Sequence, residues 1–294
     1  MTVLARGAKQ VRSLEQAIAG TPPKAGSKAS QAWLERHMAE RFKQQQARLT
    51  ETSRMAERWR ELLFKDVYKD DARLKRLKEQ AKAQLEKRKK RKIERPKRLE
   101  IEPRFIVGSS FLLKAPPYDG AWQWASVSNA QAQSDASRGT CDLGVQSFGG
   151  GNREVAAGFF AWFFAPEDNP MQRFSALLQY SDDWFDDACG YVAHNDLRTR
   201  LWVWGQTENR WVAQPEGSPS WSDGVGWFES HGNDPGGDSG TISNETFFPA
   251  SANNWYQAWV WSDASVYADG GAFGFADSSI QFHSVVPFMV FGSL

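Results

Sequence analysis

The densest cluster of positive charge in the chain is a basic run at residues 87–92. It consists of Lys87, Arg88, Lys89, Lys90, Arg91 and Lys92, and Arg95, Lys97 and Arg98 follow closely. Clustered cations attract polyanions by releasing counterions, and they attract anionic lipid head groups. The run therefore predicts contact with an anionic membrane or with nucleic acid through residues 87–98. A solvated helix end, or attraction to the acidic half of the same chain, is the alternative.

Four aspartates surround two aromatic residues in the segment SDDWFDDACG. They are Asp182, Asp183, Asp186 and Asp187, and carboxylate oxygens are the ligands that Ca²⁺ prefers. The D-x-D-x-D-G spacing of an EF-hand loop is absent from the segment. We predict an acidic loop here, and Ca²⁺ is the one cofactor that the sequence leaves open.

Twelve of the 14 tryptophans follow residue 105. Pairs two residues apart place both indoles on one face of a strand, as at Trp202 and Trp204 or at Trp259 and Trp261. Buried pairs belong to a core, whereas exposed pairs offer stacking surfaces to sugar rings or to a protein partner. The candidate ligand-binding residues are these four tryptophans together with Trp221 and Trp227.

Residue types for catalysis are sparse. None of the four histidines belongs to an H-x-H or H-E-x-x-H pattern, so the sequence supports no zinc site. The tetrapeptide Gly-Asp-Ser-Gly at residues 237–240 predicts a turn between strands rather than a nucleophile. Carboxylate pairs for glycoside hydrolysis stay open among Glu154, Glu229 and Glu245. We therefore predict no catalytic residue.

The charges of the chain are divided between its two ends. Residues 1–104 carry 29 Lys+Arg against 14 Asp+Glu, whereas residues 105–294 carry 7 against 21. Such asymmetry indicates two physically different modules joined near Pro103. We predict a short helix and flexible linker at residues 1–30, a long basic helical arm at 31–103, and an aromatic-rich β domain at 104–294.

The arm is predicted to be helical because neither Gly nor Pro interrupts residues 31–94. Ser30 is positioned to cap its N-terminus. Apolar residues recur every seven positions at Phe42, Leu49, Ala56 and Leu63, which is a weak coiled-coil pattern. The arm could be one straight helix or a helical hairpin, and its seam could meet a second copy of the chain.

The second half shows many short aromatic and β-branched runs separated by Gly, Asp, Asn and Ser. This pattern is typical of an antiparallel β-sandwich, with a jelly roll as one version. In RLWVWG, Leu201 and Val203 should face one way and Trp202 and Trp204 the other. In WYQAWVW, the tryptophans share one face. Because neither strand has a plainly polar face, both faces are either covered or used for binding.

The sequence gives limited information about the cell compartment and about the redox state of the two cysteines. The first 20 residues lack the apolar core of a secretory signal, so we expect a cytoplasmic protein or one exported by a signal-independent route. Cys141 and Cys189 are too few for a disulfide framework, although one bridge between them stays open.

These features together predict a non-enzymatic binding protein. Its β-sandwich would recognise a glycan or a protein surface, and its helical arm would oligomerise or dock it. Two other classes remain. One is a membrane-active, toxin-like protein whose arm engages anionic lipid, and the other is a hydrolase on a β-sandwich.

Overall fold

The computed structural model describes residues 27–63, 72, 75–76, 79, 83, 105–107, 111–189, 192–226, 229–233, 237–269 and 275–293. In these residues a helix, α1 (Ser27–Leu63), precedes the strands of two sheets. The strands are β1 (Phe105–Val107), β2 (Phe111–Lys114), β3 (Gly120–Ala125), β4 (Gln131–Asp135), β5 (Thr140–Phe148), β6 (Gly150–Ala165), β7 (Asn169–Cys189), β8 (Val192–Gly205), β9 (Arg210–Ala213), β10 (Glu216–Val225), β11 (Glu229–Gly232), β12 (Asp238–Ala250), β13 (Asn254–Asp269) and β14 (Phe275–Ser293).

The larger sheet is organised around β14. One edge of β14 pairs with β7, and its other edge pairs first with β5 and then with β2. Strand β4 extends the sheet beyond β5, β1 extends it beyond β2, and β11 and β12 both pair with β7. Every pairing is antiparallel.

The smaller sheet has the order β10–β8–β13–β6–β3, and β9 adds to β8. Its centre is β13, which pairs with β6 on one side and β8 on the other along nearly its whole length. The central strands are rich in aromatic and small residues, because both of their faces are covered.

The core lies between the two sheets and follows the period-two alternation of the strands. In β13, Tyr256, Ala258 and Val260 face the larger sheet. Trp259 and Trp261 face the opposite way and belong to a second apolar cluster on the outer side. The alternation predicted for β8 has the same outcome, since Leu201 and Val203 lie in the inner core.

The structure confirms the predicted antiparallel β-sandwich. The helix begins at Ser27 rather than after Ser30. The prediction of an acidic loop at residues 181–190 is wrong, because Asp182, Asp183, Asp186 and Asp187 lie in β7 and pair with β14. Most of residues 64–104 lie outside the described part of the chain, which leaves the coiled coil and the hairpin as predictions. Among the described helical residues, no stretch combines the length and apolarity needed to cross a membrane.

Candidate functional site: two outer faces of the sandwich

A cleft of about 280 Å³ opens on the outer face of the larger sheet. Its floor is a row of residues aligned across four strands by register: Gln131 on β4, Gly144 on β5, Gln281 on β14 and Asp183 on β7. Their side chains point outward because the adjacent Leu143 belongs to the inner core. Since neighbouring strands lie ~5 Å apart, the two glutamines stand about 10 Å from each other. We call this row, together with the other residues that line the cleft, the polar cleft.

Gly144 keeps the middle of the polar cleft open. A Cβ at this position would lie 3.4 Å from Gln131 Cβ and 3.5 Å from its Oε1, which are ordinary contacts. The glycine is therefore not required by the backbone or by packing. Neither Gln131 nor Gln281 makes a side-chain hydrogen bond within the described residues. Two amides, each able to donate and accept, thus flank an open floor.

A second row of polar residues borders the first. Asp142, His283 and Ser181 lie side by side on β5, β14 and β7. Nδ1 of His283 donates to Oδ1 of Asp142 at 2.8 Å. In the neutral imidazole, this bond places the proton on Nδ1 and leaves Nε2 as an acceptor. His283 also lines the cleft, so this row adds an oriented acceptor to the two amides.

An exposed aromatic ring stands on the same face. Phe148 is four residues from Gly144 on β5, and 48% of it is solvent-accessible. Four residues of strand correspond to ~13 Å. Gly149 and Gly150, which follow it in the chain, carry no side chain that could cover the ring. An exposed ring therefore lies further along β5, on the same outer face as the polar cleft.

The outer face of the smaller sheet is different, because tryptophans dominate it. We define the tryptophan face as the indoles of Trp122, Trp124, Trp162, Trp202, Trp204, Trp211, Trp255, Trp259 and Trp261. They pack mostly edge-to-face, with Trp202 and Trp261 at 4.7 Å between ring centroids. Such geometry suits the ring quadrupoles. Gly158 makes room for this packing, since a Cβ there would lie 2.3 Å from Trp261 Cβ.

Helix α1 covers the tryptophan face. Ser30, Leu34 and Met38 are fully buried and are spaced by four, so they form one stripe along the helix. Trp33 adds edge-to-face contacts with Trp202 and Trp211. The Ser30 hydroxyl donates to Oε1 of Gln257 in the centre of the face. Beyond Gln45 most of the described side chains of α1 are exposed, so the helix leaves the sheet there.

A buried ion network holds α1 to the same face. The Arg41 guanidinium contacts the carboxylates of Glu154 and Asp263, which are almost inaccessible to solvent. Asp263 also pairs with Arg200, whose guanidinium lies 4.7 Å from the Trp261 ring. Burial raises the pKa of Glu154, and the charge of Arg41 opposes that rise. Removing Arg41 while α1 stays in place would leave the Glu154 carboxylate buried without a counter-charge.

The four aspartates of β7 are divided between the faces of the sheet. Asp182 and Asp186 point into one end of the sandwich, whereas Asp183 points to the outer face. Asp186 accepts from Asn195 Nδ2 at 2.7 Å, and Asn195 in turn accepts from the Trp221 indole at 3.0 Å. Burial raises the pKa of Asp182 and of Asp186 to about 7. Within the described ranges, no group of three or more His, Cys, Asp or Glu residues could hold a metal ion.

The six tryptophans predicted to bind a ligand have different surroundings. Trp202, Trp204, Trp259 and Trp261 are buried on the tryptophan face. Helix α1 packs on the cluster that contains Trp202, Trp259 and Trp261, whereas Trp204 packs against Trp211. Trp221 is half-buried by its contact with the core and its bond to Asn195. Trp227 lies outside the described residues, as does the basic segment made of Lys87, Arg88, Lys89, Lys90, Arg91 and Lys92. Cys141 is a buried free thiol, which excludes a bridge to Cys189.

Sequence reasoning missed the polar cleft. Its signal is a period-two alternation in two segments, with Gln131 and Gln133 alternating in QAQSD and with Ser279, Gln281 and His283 alternating in SSIQFHS. The first segment contains only one apolar residue, so it does not look like a strand. The juxtaposition of the two segments depends on the register of β4, β5 and β14, which no local pattern encodes.

No protein-family model and no curated protein matches the chain. Among solved structures, TmCBM61 in complex with β-1,4-galactotriose shows 9% identity and a TM-score of 0.20, and the match covers 60% of this chain and 90% of that one. The infectious bursal disease virus Gt strain shows 8% identity and a TM-score of 0.21, over 68% of this chain and 43% of that one. The Clostridium thermocellum Xyn10B CBM22-1-GH10 modules complexed with xylohexaose show 10% identity and a TM-score of 0.12, and the match covers 49% of this chain and 26% of that one. Scores this low establish neither a shared fold nor a shared function.

Proposed function

We propose that this protein is a non-enzymatic binding protein whose β-sandwich recognises a glycan in the polar cleft. The observation that carries the proposal is the row of Gln131, Gly144 and Gln281, in which two unengaged amides flank an open glycine floor. Vicinal sugar hydroxyls both donate and accept hydrogen bonds, as an amide does. Asp183 at the end of the row and His283 in the neighbouring row add acceptors, and Phe148 offers a ring on which the apolar face of a sugar can stack.

The composition of the cleft favours a neutral glycan over an anionic ligand. No Lys or Arg is among the residues that line it, whereas Asp183 is, and Asp142 lies directly behind His283. Carboxylates would repel a sulfated or phosphorylated chain. The ~13 Å between Gly144 and Phe148 allows an oligosaccharide rather than a single sugar to span the site.

A protein ligand fits this surface less well. Stable protein interfaces bury about 800 Å² on each partner and have an apolar centre. The polar cleft is small, and its centre is an amide and carboxylate row. Phe148 is the only large exposed apolar side chain among the described residues of strand β5. Recognition of a small hydroxylated ligand therefore accounts for the surface better.

The role proposed for the arm is to dock the sandwich to a larger assembly. Helix α1 is attached to the face opposite the polar cleft, and beyond Gln45 it projects away from the sheet. A ligand in the cleft and a partner on the projecting part of α1 would not compete for space. Self-association through the arm is one form that such docking can take.

Filling the cleft tests the proposal. Gly144→Tyr places a phenol between Gln131 and Gln281, and a glycine in a strand interior is not needed for stability. We expect the variant to melt at or above the wild-type temperature and to lose all signal on an array of neutral oligosaccharides. Gly144→Ala is the matched control, because its methyl group makes only ordinary contacts.

Two further variants define the ligand contacts. Gln281→Ala should weaken binding about tenfold by removing one or two hydrogen bonds, and Phe148→Ala should weaken it to a similar degree by removing a stacking surface. Isothermal titration with the strongest array ligand measures both. The proposal fails if wild-type protein binds no neutral glycan, or if Gly144→Tyr binds one as well as the wild type does.

A further inference from the structure

Four indole N–H groups of the tryptophan face are buried without a hydrogen-bond acceptor in the described residues. They belong to Trp122, Trp204, Trp211 and Trp261. The Nε2 amide of Gln257, at the centre of the same face, also lacks one. By contrast, the Trp202 indole donates to the backbone carbonyl of Pro215 and the Trp259 indole donates to Oε1 of Gln257, each at 3.0 Å. Buried indole N–H groups normally have a partner, so this concentration of donors requires an explanation.

Helix α1 packs against Trp122, Trp211 and Trp261 but offers them no acceptor, and Trp204 lies beside Trp211. The side chains that it lays on the face include Trp33, Leu34, Met38 and Phe42, none of which carries a carbonyl or hydroxyl oxygen. The Ser30 hydroxyl donates to the Gln257 oxygen rather than accepting from its nitrogen, and the Gln31 amide donates to the Ala121 carbonyl. Helix α1 thus complements the apolar surface of the tryptophan face but leaves its N–H donors without acceptors.

We propose that the tryptophan face is a second glycan-binding surface, which α1 occupies as a removable cover. A glycan supplies what α1 lacks. Each sugar ring has an apolar C–H face that packs on an indole, and its hydroxyl oxygens accept from N–H donors. An apolar helix from another protein or from a second copy would leave the same donors unpaired. The surface is independent of the polar cleft, since it lies on the other sheet.

The ion network allows α1 to leave without stranding every charge. Asp263 keeps its pair with Arg200 on β8 when Arg41 withdraws, because both residues belong to the sheet. Arg200 also keeps its position against the Trp261 ring. Glu154 loses Arg41 but gains water, as the face is then open. The free energy needed to detach α1 therefore comes mainly from the contacts of Arg41 and of the apolar stripe. A substitution of Arg41 should accordingly release the helix.

The test opens the cover in the full chain with the polar cleft blocked. Arg41→Asp, made together with Gly144→Tyr, places a carboxylate against Glu154 and Asp263 and should release α1. Arg36→Asp is the matched control, because Arg36 lies on the exposed side of the same helix. Leu34→Asp opens the face by a second route, through the apolar stripe. Acrylamide quenching of tryptophan fluorescence reports release, and circular dichroism with thermal melting reports the integrity of the sandwich.

Cellohexaose, xylohexaose and mannohexaose are the probes. In Arg41→Asp or Leu34→Asp we expect quenching to rise and affinity for at least one probe to increase about tenfold or more over the Arg36→Asp control. Adding Trp261→Phe, which keeps a ring but removes the N–H, should reverse most of that gain.

Three results would overturn the proposal. The first is an opened face that binds none of the three probes. The second is quenching that neither variant raises, which would make α1 a fixed part of the fold. The third is loss of the sandwich itself in both variants. Because the cleft is blocked throughout, failure here leaves the proposed function of the polar cleft unaffected, and failure there leaves this surface unaffected.

Discussion

The buried carboxyl of Asp186 should make the protein more stable in mild acid than in mild base. Asp186 has no solvent-accessible surface, and burial raises its pKa from 3.8 to about 7. The folded state therefore binds a proton more tightly than the unfolded state does. Stability from this group is fully present below the unfolded pKa and is lost as the pH rises through 7.

The size of the effect follows from the same numbers. A rise in pKa from 3.8 to about 7 corresponds to about 4 kcal/mol of unfolding free energy, spread over the interval between the two values. Asp186→Asn replaces the titrating oxygen with a neutral amide, and its remaining oxygen can still accept from Asn195. We expect the variant to be ~2–4 kcal/mol more stable than the wild type at pH 8 and equal to it near pH 4.

Urea unfolding at pH 5, 6, 7 and 8, followed by tryptophan fluorescence, measures the difference. The variant keeps part of the pH dependence of stability, because the pKa of Asp182 also rises to about 7. Burial lowers the pKa of His37, which has the opposite effect on stability. That effect cancels when the variant and the wild type are compared at the same pH. Asp135→Asn is the control, because a hydrogen bond from Ser137 lowers the pKa of this carboxyl. An Asp186→Asn variant with an unchanged pH dependence, or one less stable at pH 8, would refute the reasoning.

Two other predictions follow from packing. Gly158→Ala should destabilise the protein by about 2–3 kcal/mol, because its Cβ would overlap Trp261 Cβ and the Val260 carbonyl; Gly150→Ala, which meets nothing within 4 Å, should change the urea midpoint little. Cys141 should resist maleimide at pH 8 in the folded protein and react after unfolding, because burial raises the pKa of its thiol; peptide mass spectrometry locates the label, and rapid labelling of native Cys141 would contradict the assignment.

The sequence encodes the alternation of the central strands, but it does not encode the partners of those strands. Leu201 and Val203 face the core, as the period of two requires. The same rule puts Trp259 and Trp261 on one outer face, yet it leaves open whether that face is bare or covered. The answer depends on Leu34 and Met38, which lie more than 200 residues away in the chain.

In the acidic segment of β7, the local sequence predicts the wrong secondary structure. Asp, Gly and Ser are poor strand formers, so residues 181–190 look like a loop. Pairing with β14 overrides that preference, because Trp184 and Phe185 gain burial only in the sheet. The price is two carboxyls inside the sandwich, Asp182 and Asp186. β-Propensity could not have predicted this strand, because it depends on the residue types in the segment and not on their tertiary contacts.

The charge asymmetry between the halves of the chain has a buried counterpart in the structure. Arg41 of α1 reaches the buried carboxylates of Glu154 and Asp263 on the sheet. Attraction between exposed charges is screened beyond ~8 Å at physiological salt, but a buried pair is screened much less. The buried contacts of Arg41 and the apolar stripe of α1 therefore fix the position of the helix on the tryptophan face. The same division explains why the charge pattern indicates two modules in the sequence, although the structure joins them through the side of one helix.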